Sequence, residues 1–266
     1  MNFVRRTLTG VYSLLVAAAL FATANSHANE QAPIIAVASN LRLTIEEIAQ
    51  SFHKDTGLGV RFAFGSSGNL TRQILQGAPF EMFMSADEGY VFRISDADRS
   101  IDRGKIYAFG RIVAFTPRNS PLQAAGFPEG YSSIFETQNP MRYAIANPEL
   151  APYGRAAREA LMHAGLWEMI QPRLIFGENI SQTAQFTLSG STMGGIIAYS
   201  QALAPQFMSG GKYILIPSAF HQPLGQRMVL LKNSGEPAKR FYEYLGRETA
   251  RKIFRKNGYA LESGEG

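Results

Sequence analysis

The sequence predicts an α/β fold of two lobes, each built on a mostly parallel sheet flanked by helices. Strand-like segments alternate with helical segments along almost the whole chain, which is typical of α/β folds. At four places a strand-like segment runs through polar or glycine residues directly into a helix, and these four joints fall in both halves of the sequence. Because open α/β sheets bind ligands beyond the carboxyl ends of their strands, we expect the four joints to face one another across a cleft.

The first joint connects a buried strand to an amphipathic helix. The apolar run 34–38 is typical of a buried parallel strand, and apolar residues then recur at helical spacing from Leu41 to Phe52. Ser39 and Asn40 stand between the two segments, where a short polar side chain can cap a helix. The free N–H groups of a helix N-terminus can hold an anion there without any cationic side chain.

The second joint follows a predicted strand over Val60–Phe64. The segment GSSGN, residues 65–69, leads into a short helix that closes at Gly77. Ser66 or Ser67 can cap this helix, and the glycines allow the backbone to approach a ligand closely. The loop lacks the lysine of a phosphate-binding P-loop, so an ordinary capped loop is the competing interpretation.

The third and fourth joints lie in the second half of the sequence. Tyr153 stands just before a helix predicted over Arg155–Ala164, where its phenol or a nearby N–H could face the cleft. The competing interpretation is that the tyrosine only covers the helix end. The segment GENISQT, residues 177–183, precedes a helix that runs to about Leu188. Glu178 lies at the positive end of that helix dipole, and the competing interpretation is that it only stabilises the helix.

Two strands are candidates for crossings between the lobes. A long strand is predicted over Ile106–Thr116, between two helical regions, and a later strand beginning at Gln226 returns the chain to the first lobe. The predicted first lobe therefore comprises residues 29–113 and 218–266, and the predicted second lobe comprises residues 114–217.

The first 28 residues are predicted to be a secretory signal peptide. Arg5 and Arg6 form a basic start, residues 11–22 are apolar, and the segment SHA at 26–28 fits a small-x-small cleavage site. Cleavage after Ala28 predicts a periplasmic protein, with a membrane anchor as the competing interpretation. The sequence has no cysteine, which excludes a disulfide framework and a lipid-bearing cysteine.

The charge of the chain is mildly basic. Lys and Arg number 26 against 21 Asp and Glu, and two of the arginines lie in the predicted leader. The charges are interspersed and not clustered, which argues against a nucleic-acid partner. The length that remains after cleavage suits one large domain or two lobes of about 100–120 residues each. We expect a monomer.

These segments resemble the periplasmic molybdate-binding proteins of molybdate ABC importers. The likeness extends from about Pro33 to Tyr259, and its most specific pieces are AVASNL, FGSSGNLTRQILQGAPFEMFMSAD, APYGRAAREAL, GENISQTAQ and FYEYLGRETARKIFRKNGY. The resemblance implies two lobes of the type II periplasmic binding protein class, joined by two crossing strands. It implies capture of molybdate or tungstate without a cofactor, a metal ion or catalysis, and delivery to a membrane permease subunit.

The resemblance also implies which residues contact the oxyanion. One branch of the family has a tyrosine that ends a GIVY segment, whereas this chain reads GIIAY, with Ala198 at that point and Tyr199 one step later. One step along a strand turns a side chain to the other face, so we expect Tyr153 to supply the phenol. The implied ligand residues are Ser39, Asn40, Ser67, Tyr153 and Ile180, with Ser66, Asn179 and Ser181 as secondary candidates.

These residue types suit a tetrahedral dianion. Molybdate carries no proton at neutral pH, so its four oxygens need hydroxyl, amide and backbone N–H donors. Hydrogen bonds to a charged group are worth about 1.5–3 kcal/mol each. Phosphate does carry a proton, which a site made only of donors would leave unpaired. Sulfate carries none, so the size of the cavity must separate it from molybdate.

Two other interpretations stay open at this level. A binding protein of the same fold could take sulfate, phosphate or a ferric ion, although ferric binding calls for paired tyrosines and only Tyr153 lies at a predicted joint. A secreted hydrolase is the third interpretation. His53, His163 and His221 have no evident serine or aspartate partner, and the sequence has no G-x-S-x-G nucleophile elbow. A protein without enzymatic activity is therefore predicted.

Overall fold

The computed structural model describes residues 32–137 and 142–261. The predicted signal peptide and its cleavage point at Ala28 lie outside these residues. None of the helices in the described ranges combines the length and the apolar character that a membrane crossing requires.

Ten strands form two five-stranded sheets within the described part of the chain. Each strand is short and most are largely buried. In chain order they are β1 (Ile34–Ala38), β2 (Arg61–Gly65), β3 (Met82–Met84), β4 (Lys105–Gly110), β5 (Ile112–Pro117), β6 (Tyr143–Ala146), β7 (Leu174–Gly177), β8 (Gly194–Ala198), β9 (Gly211–Leu215) and β10 (Leu224–Leu230).

Helices flank both sheets. Short 3₁₀ turns occur at Ser39–Leu41, Pro121–Gln123, Gln171–Arg173 and Ser218–Phe220. The α-helices of the described ranges are α1 (Arg42–Thr56), α2 (Ser67–Leu75), α3 (Glu88–Asp96), α4 (Tyr131–Thr137), α5 (Pro152–His163), α6 (Trp167–Ile170), α7 (Ile180–Leu188), α8 (Tyr199–Ala202), α9 (Pro205–Gly210), α10 (Glu236–Tyr244) and α11 (Glu248–Lys256).

The two sheets have the same arrangement. The strand order is β2-β1-β3-β10-β4 in the first sheet and β7-β6-β8-β5-β9 in the second. In the first sheet β1 pairs in parallel with β2 and β3, and in the second β6 pairs in parallel with β7 and β8. β10 and β5 are antiparallel to both of their neighbours. The predicted fold class is confirmed, but the sheets are mixed where a mostly parallel arrangement was predicted.

The antiparallel strands are the two that enter directly from the other sheet. The first crossing occurs where Gly110 ends β4 and Ile112 begins β5, with Arg111 between them. The second occurs between Leu215, which ends β9, and Leu224, which begins β10. A crossing strand starts at the edge where the parallel strands of its sheet end, so it must run in the opposite direction to them.

The first crossing divides a segment that the sequence predicts as one strand. β4 ends and β5 begins inside the predicted strand Ile106–Thr116, so the two parts of this segment belong to different sheets. All of β5 lies in the second sheet. The predicted lobe limits, 29–113 with 218–266 and 114–217, stay a prediction.

An aromatic cluster fastens the C-terminal helices to the first sheet. Phe52, on the buried face of α1, is fully buried. Its ring meets Phe241 edge-on at 5.1 Å between centroids and Tyr244 at 5.3 Å, both from α10. Edge-to-face pairs at these distances contribute beyond the area that they bury. The last helices of the chain therefore complete the core that supports β1.

Replacing Phe52 tests this cluster. We expect Phe52→Ala to lower the free energy of unfolding by about 3–5 kcal/mol, since it opens a cavity between α1 and α10. Leu43→Ala on the same helix is the control, because Leu43 is 45% exposed and should cost less than about 1 kcal/mol. Chemical denaturation of both variants measures the difference, and equal losses would contradict the assignment.

Candidate functional site

The ends of the two sheets meet in one buried region. Ala38, at the end of β1, and Ala86, just after β3, pack in the same apolar cluster as Tyr153 and Ile180 of the second sheet's helices. The predicted ligand residues surround this meeting point. All five of them are at most 3% exposed: Ser39, Asn40, Ser67, Tyr153 and Ile180.

The first and fourth joints contact each other directly. The Ser181 N–H donates to Ser39 Oγ at 3.3 Å, and the Ser181 hydroxyl donates to the Ser39 carbonyl oxygen at 3.0 Å. Gln201 Nε2 donates to Ser181 Oγ at 3.0 Å. Since Ser39 Oγ accepts in this contact, its own proton is left to donate. Ser181 is thus engaged with Ser39, which makes it a link between the sheets.

The two serines of the second joint have different partners. Ser66 is the N-cap of α2, and its Oγ accepts from the Asn69 N–H at 3.4 Å. Ser67 Oγ accepts from the Ala86 N–H at 3.0 Å, which leaves the Ser67 proton available to a ligand. The structure therefore gives Ser66 a structural contact and Ser67 a free donor.

Glycine at position 68 allows the second joint to touch the third. The Gly68 N–H donates to the Leu150 carbonyl oxygen at 2.9 Å. A Cβ at this position would lie only 2.9 Å from that oxygen and from Tyr90 Oη. Such a separation is shorter than van der Waals contact, so a larger residue would push the two sheets apart at this point.

The Tyr153 phenol is a buried donor. Tyr153 is the second residue of α5, and its Oη accepts from Gln226 Nε2 at 2.9 Å. Burial, together with the nearby Tyr259, raises the pKa of Tyr153 well above its ordinary value. The phenol therefore keeps its proton at physiological pH. Because the oxygen already accepts from Gln226, that proton is free to bond elsewhere.

Ile180 contributes a backbone N–H at the start of α7. The side chain of Asn179 caps this helix, and its Oδ1 accepts from Ser181 and Gln182 at 3.0 and 3.1 Å. The Ile180 N–H, one position earlier, has no hydrogen-bond partner within the described ranges. Buried N–H groups are nearly always paired, so this donor is suited to a ligand. Asn179 caps α7 through the N–H groups of Ser181 and Gln182 and leaves the Ile180 N–H free.

The Asn40 side chain is engaged in a buried network. Its Nδ2 donates to Gln226 Oε1 at 3.0 Å and to Tyr259 Oη at 2.9 Å, while its Oδ1 has no partner among the described residues. To donate to an anion from the side where Oδ1 now lies, the Asn40 amide group would have to turn by half a rotation, so that Nδ2 and Oδ1 exchange positions. Its predicted ligand role stays a prediction.

Sequence reasoning missed three members of this network. Gln226 is fully buried and Tyr107 Oη lies 2.9 Å from Gln226 Oε1. Tyr259 Oη donates to the Asn40 carbonyl oxygen at 3.0 Å. A glutamine at a position of a crossing strand whose neighbours Leu224 and Met228 on the same face are apolar was the available signal, since a buried amide needs partners.

Tyr199 lies outside this network. It begins α8, its ring is 5.6 Å from the ring of Tyr213, and the Arg111 guanidinium lies 5.5 Å from its centroid. Because Ala198 ends β8, the extra residue of GIIAY turns the tyrosine away from the joints.

The charges near the site are paired across the two sheets. Arg155 Nη1 on α5 lies 3.1 Å from Asp87 Oδ2, and the other carboxylate oxygen, Oδ1, caps α3 by accepting from the Tyr90 N–H. Asn69 Nδ2 donates to Glu178 Oε1 of the fourth joint. Within the described ranges, the side-chain hydrogen bonds of the five predicted ligand residues involve no lysine or arginine. The free donors are therefore neutral groups.

An open pocket of about 140 Å³ lies beside the first and fourth joints. Ser39, Asn40 and Ser181 line it, but Ser67, Tyr153 and Ile180 do not. The free donors of the second, third and fourth joints therefore lie outside this pocket, on residues that are almost fully buried. Because these residues are buried, a ligand can reach them only if the surrounding residues move.

Comparison with known proteins gives a consistent result. The model of the family described as bacterial extracellular solute-binding protein matches residues 34–260. The molybdate-binding protein ModA of Rhodobacter capsulatus is 35% identical over 240 residues, which cover 86% of this chain and 88% of that protein. ModA of Azotobacter vinelandii is 31% identical over 231 residues, which cover 86% and 89%.

The fold is similar to that of a solved relative. The structure of the Azotobacter vinelandii periplasmic molybdate-binding protein superposes with a TM-score of 0.78 at 28% identity, and the match covers 87% of this chain and 100% of that one. The similarity therefore includes both sheets and both crossings.

The protonation state of Tyr153 can be measured directly. Because burial raises its pKa well above the ordinary value, we expect the wild-type protein and Tyr153→Phe to show the same number of ionising tyrosines up to about pH 10.5. The measurement is ultraviolet absorbance during alkaline titration. In guanidinium chloride the wild type should show one more ionising tyrosine, near pH 10. An extra ionisation in the folded wild type below pH 10.5 would contradict the burial argument.

Proposed function

This chain belongs to the family of bacterial extracellular solute-binding proteins, and from this premise we propose that it captures molybdate and delivers it to an ABC importer. The observation that carries the proposal is the buried set of neutral, unpaired donors where the two sheets meet. The Ser67 hydroxyl, the Tyr153 phenol and the Ile180 N–H belong to this set. The named relatives, which are molybdate-binding proteins, support the choice of ligand.

The donor set suits an oxyanion that has no proton. Each of its groups has a proton available to a ligand, because the oxygens of Ser67 and Tyr153 accept bonds from Ala86 and Gln226 and leave their own protons free. A protonated phosphate would have to give its proton to an oxygen that already accepts a bond, which disfavours it relative to a fully ionised oxyanion. Neutral donors at helix N-termini also avoid a lysine or arginine that would bind many anions. Molybdate and tungstate meet these conditions equally, so we include tungstate.

Capture and delivery follow from the contacts between the sheets. Ser39 with Ser181 and Gly68 with Leu150 join the two sheets around the donors. An oxyanion that binds groups of both sheets favours the arrangement in which they touch. We propose that a monomer in the periplasm presents this closed form to the permease subunit of the importer. Binding and release require no covalent chemistry.

Titration calorimetry with four anions tests the ligand. The mature protein, residues 29–266, should bind molybdate and tungstate, while sulfate and phosphate should give no heat under the same conditions. Binding of sulfate or phosphate in place of molybdate would overturn the proposed ligand and keep the solute-binding role. No binding to any of the four would overturn both.

Replacing Ser67 tests the site itself. We expect Ser67→Ala to weaken molybdate binding by about 1–3 kcal/mol, because one oxygen of the ligand loses its donor. Ser51→Ala is the matched control, since the Ser51 hydroxyl only contacts the Glu47 carbonyl oxygen within α1. Calorimetry of both variants gives the comparison. An unchanged affinity in Ser67→Ala would remove Ser67 from the site.

A further inference from the structure

Gln226 joins the two sheets at the site, although it has no assigned role. It lies on the crossing strand β10 and is fully buried. Its side-chain amide contacts Asn40 of the first joint, Tyr107 of β4 and Tyr153 of α5. A buried amide with three polar partners is costly to maintain unless its bonds are satisfied, and here both of its polar atoms are paired.

The partners fix which way the Gln226 amide points. Oε1 lies 3.0 Å from Asn40 Nδ2 and 2.9 Å from Tyr107 Oη, and both of these groups can donate. Tyr107 stays a donor because burial raises its pKa well above the ordinary value. Its single proton is shared with the Ser85 carbonyl oxygen at 3.0 Å. With two donors on Oε1, Nε2 faces Tyr153.

The backbone of Gly110 limits the position of Tyr153. A Cβ on Gly110 would lie 2.3 Å from Tyr153 Oη and 2.6 Å from Gln226 Nε2. The backbone of β4 therefore packs directly against both groups on one side. The phenol oxygen is held against the glutamine donor, so its proton cannot point toward Gln226.

We propose that Gln226 is a positioning residue that turns the Tyr153 phenol proton toward the bound oxyanion. This inference rests on the proposed function. By donating to Tyr153 Oη, Gln226 excludes the orientation in which the phenol would donate to the glutamine. A hydroxyl that accepts one hydrogen bond also donates more strongly through its own proton. The glutamine thereby acts on the ligand through Tyr153 without touching it.

A double-mutant cycle separates this role from simple packing. We expect Gln226→Leu and Tyr153→Phe each to weaken molybdate binding about tenfold. In the Tyr153→Phe background, Gln226→Leu should cause almost no further loss, because the group that it positions is gone. A residue that only packs would weaken binding by the same factor in both backgrounds. Additive losses would overturn the proposal.

A charge-bearing variant gives a second readout. In Gln226→Glu the new carboxyl can accept the phenol proton and turn it away from the ligand. Burial raises the pKa of such a carboxyl, and its ionised form repels a dianion, so the affinity should fall as pH rises from about 5.5 to about 8. The titratable neighbours do not interfere, since the pKa values of Tyr107 and Tyr153 are raised well above 10 and that of Tyr259 to about 12.

The control and the outcomes keep the inference distinct from the proposed function. Gln222→Leu is the control, because Gln222 is exposed and precedes β10. Thermal unfolding without ligand shows that each variant folds. A wild type that does not bind molybdate would overturn the proposed function. A wild type that binds, with Gln226→Leu unimpaired, would overturn only this inference. If Gln226→Leu fails to fold, Gln226→Glu provides the test. A molybdate affinity of Gln226→Glu at pH 8 equal to that of the wild type would then overturn this inference.

Discussion

The structure depends on burying several helix N-termini at one point. α2, α5 and α7 begin at Ser67, Pro152 and Ile180, where the two sheets meet. The first N–H groups of a helix have no partner inside it, and a buried N–H without a partner costs free energy. Part of this cost is removed by Asn179, which caps α7, and by Pro152, which has no N–H to satisfy. The donors that remain create a site whose chemistry suits an anion.

This constraint also explains why the crossing strands matter for the site. β5 and β10 enter their sheets at the edge where the helices begin, so residues near the crossings lie among the donors. Gly110, at the end of β4, brings bare backbone against Tyr153 Oη, and Gln226, near the start of β10, supplies a polar side chain at the same place. The crossings and the candidate site are therefore in direct contact through Gly110, Gln226 and Tyr153.

The sequence predicted those parts of the structure that local patterns determine. The apolar run of β1, the helical spacing of α1 and the polar residues between them place Ser39 and Asn40 correctly at a strand end, because these features involve neighbouring residues only. The resemblance gave the family and the positions at the joints. No helix is predicted from the sequence over α3, whose buried residues are only Val91 and Ile94. Local spacing carries too little signal in such a helix.

The parts that the sequence could not give are those made by distant residues. The contacts of Asn40 with Gln226 and Tyr259 join positions 186 and 219 residues apart. No local pattern indicates which buried polar groups will meet after the chain has crossed between the sheets twice. The mixed pairing was missed for a related reason, since strand direction depends on where a strand enters its sheet. The alternation of strands and helices alone suggests parallel pairing.

If the proposed function is correct, the balance between open and closed forms depends on the strength of the contacts between the sheets. Apart from the ligand site, they include Arg155 with Asp87 and neutral bonds such as Gly68 with Leu150. The arginine side chain is 35% exposed and the aspartate side chain 9%, so solvent screens the attraction between them only in part. Neutral hydrogen bonds each contribute about 1 kcal/mol net of the water that they replace. Moving an equilibrium from mostly open to mostly closed takes about 5.5 kcal/mol of differential binding. A dianion that bonds donors of both sheets can supply this amount from a few charge-assisted bonds, which is the amount that the proposed function requires.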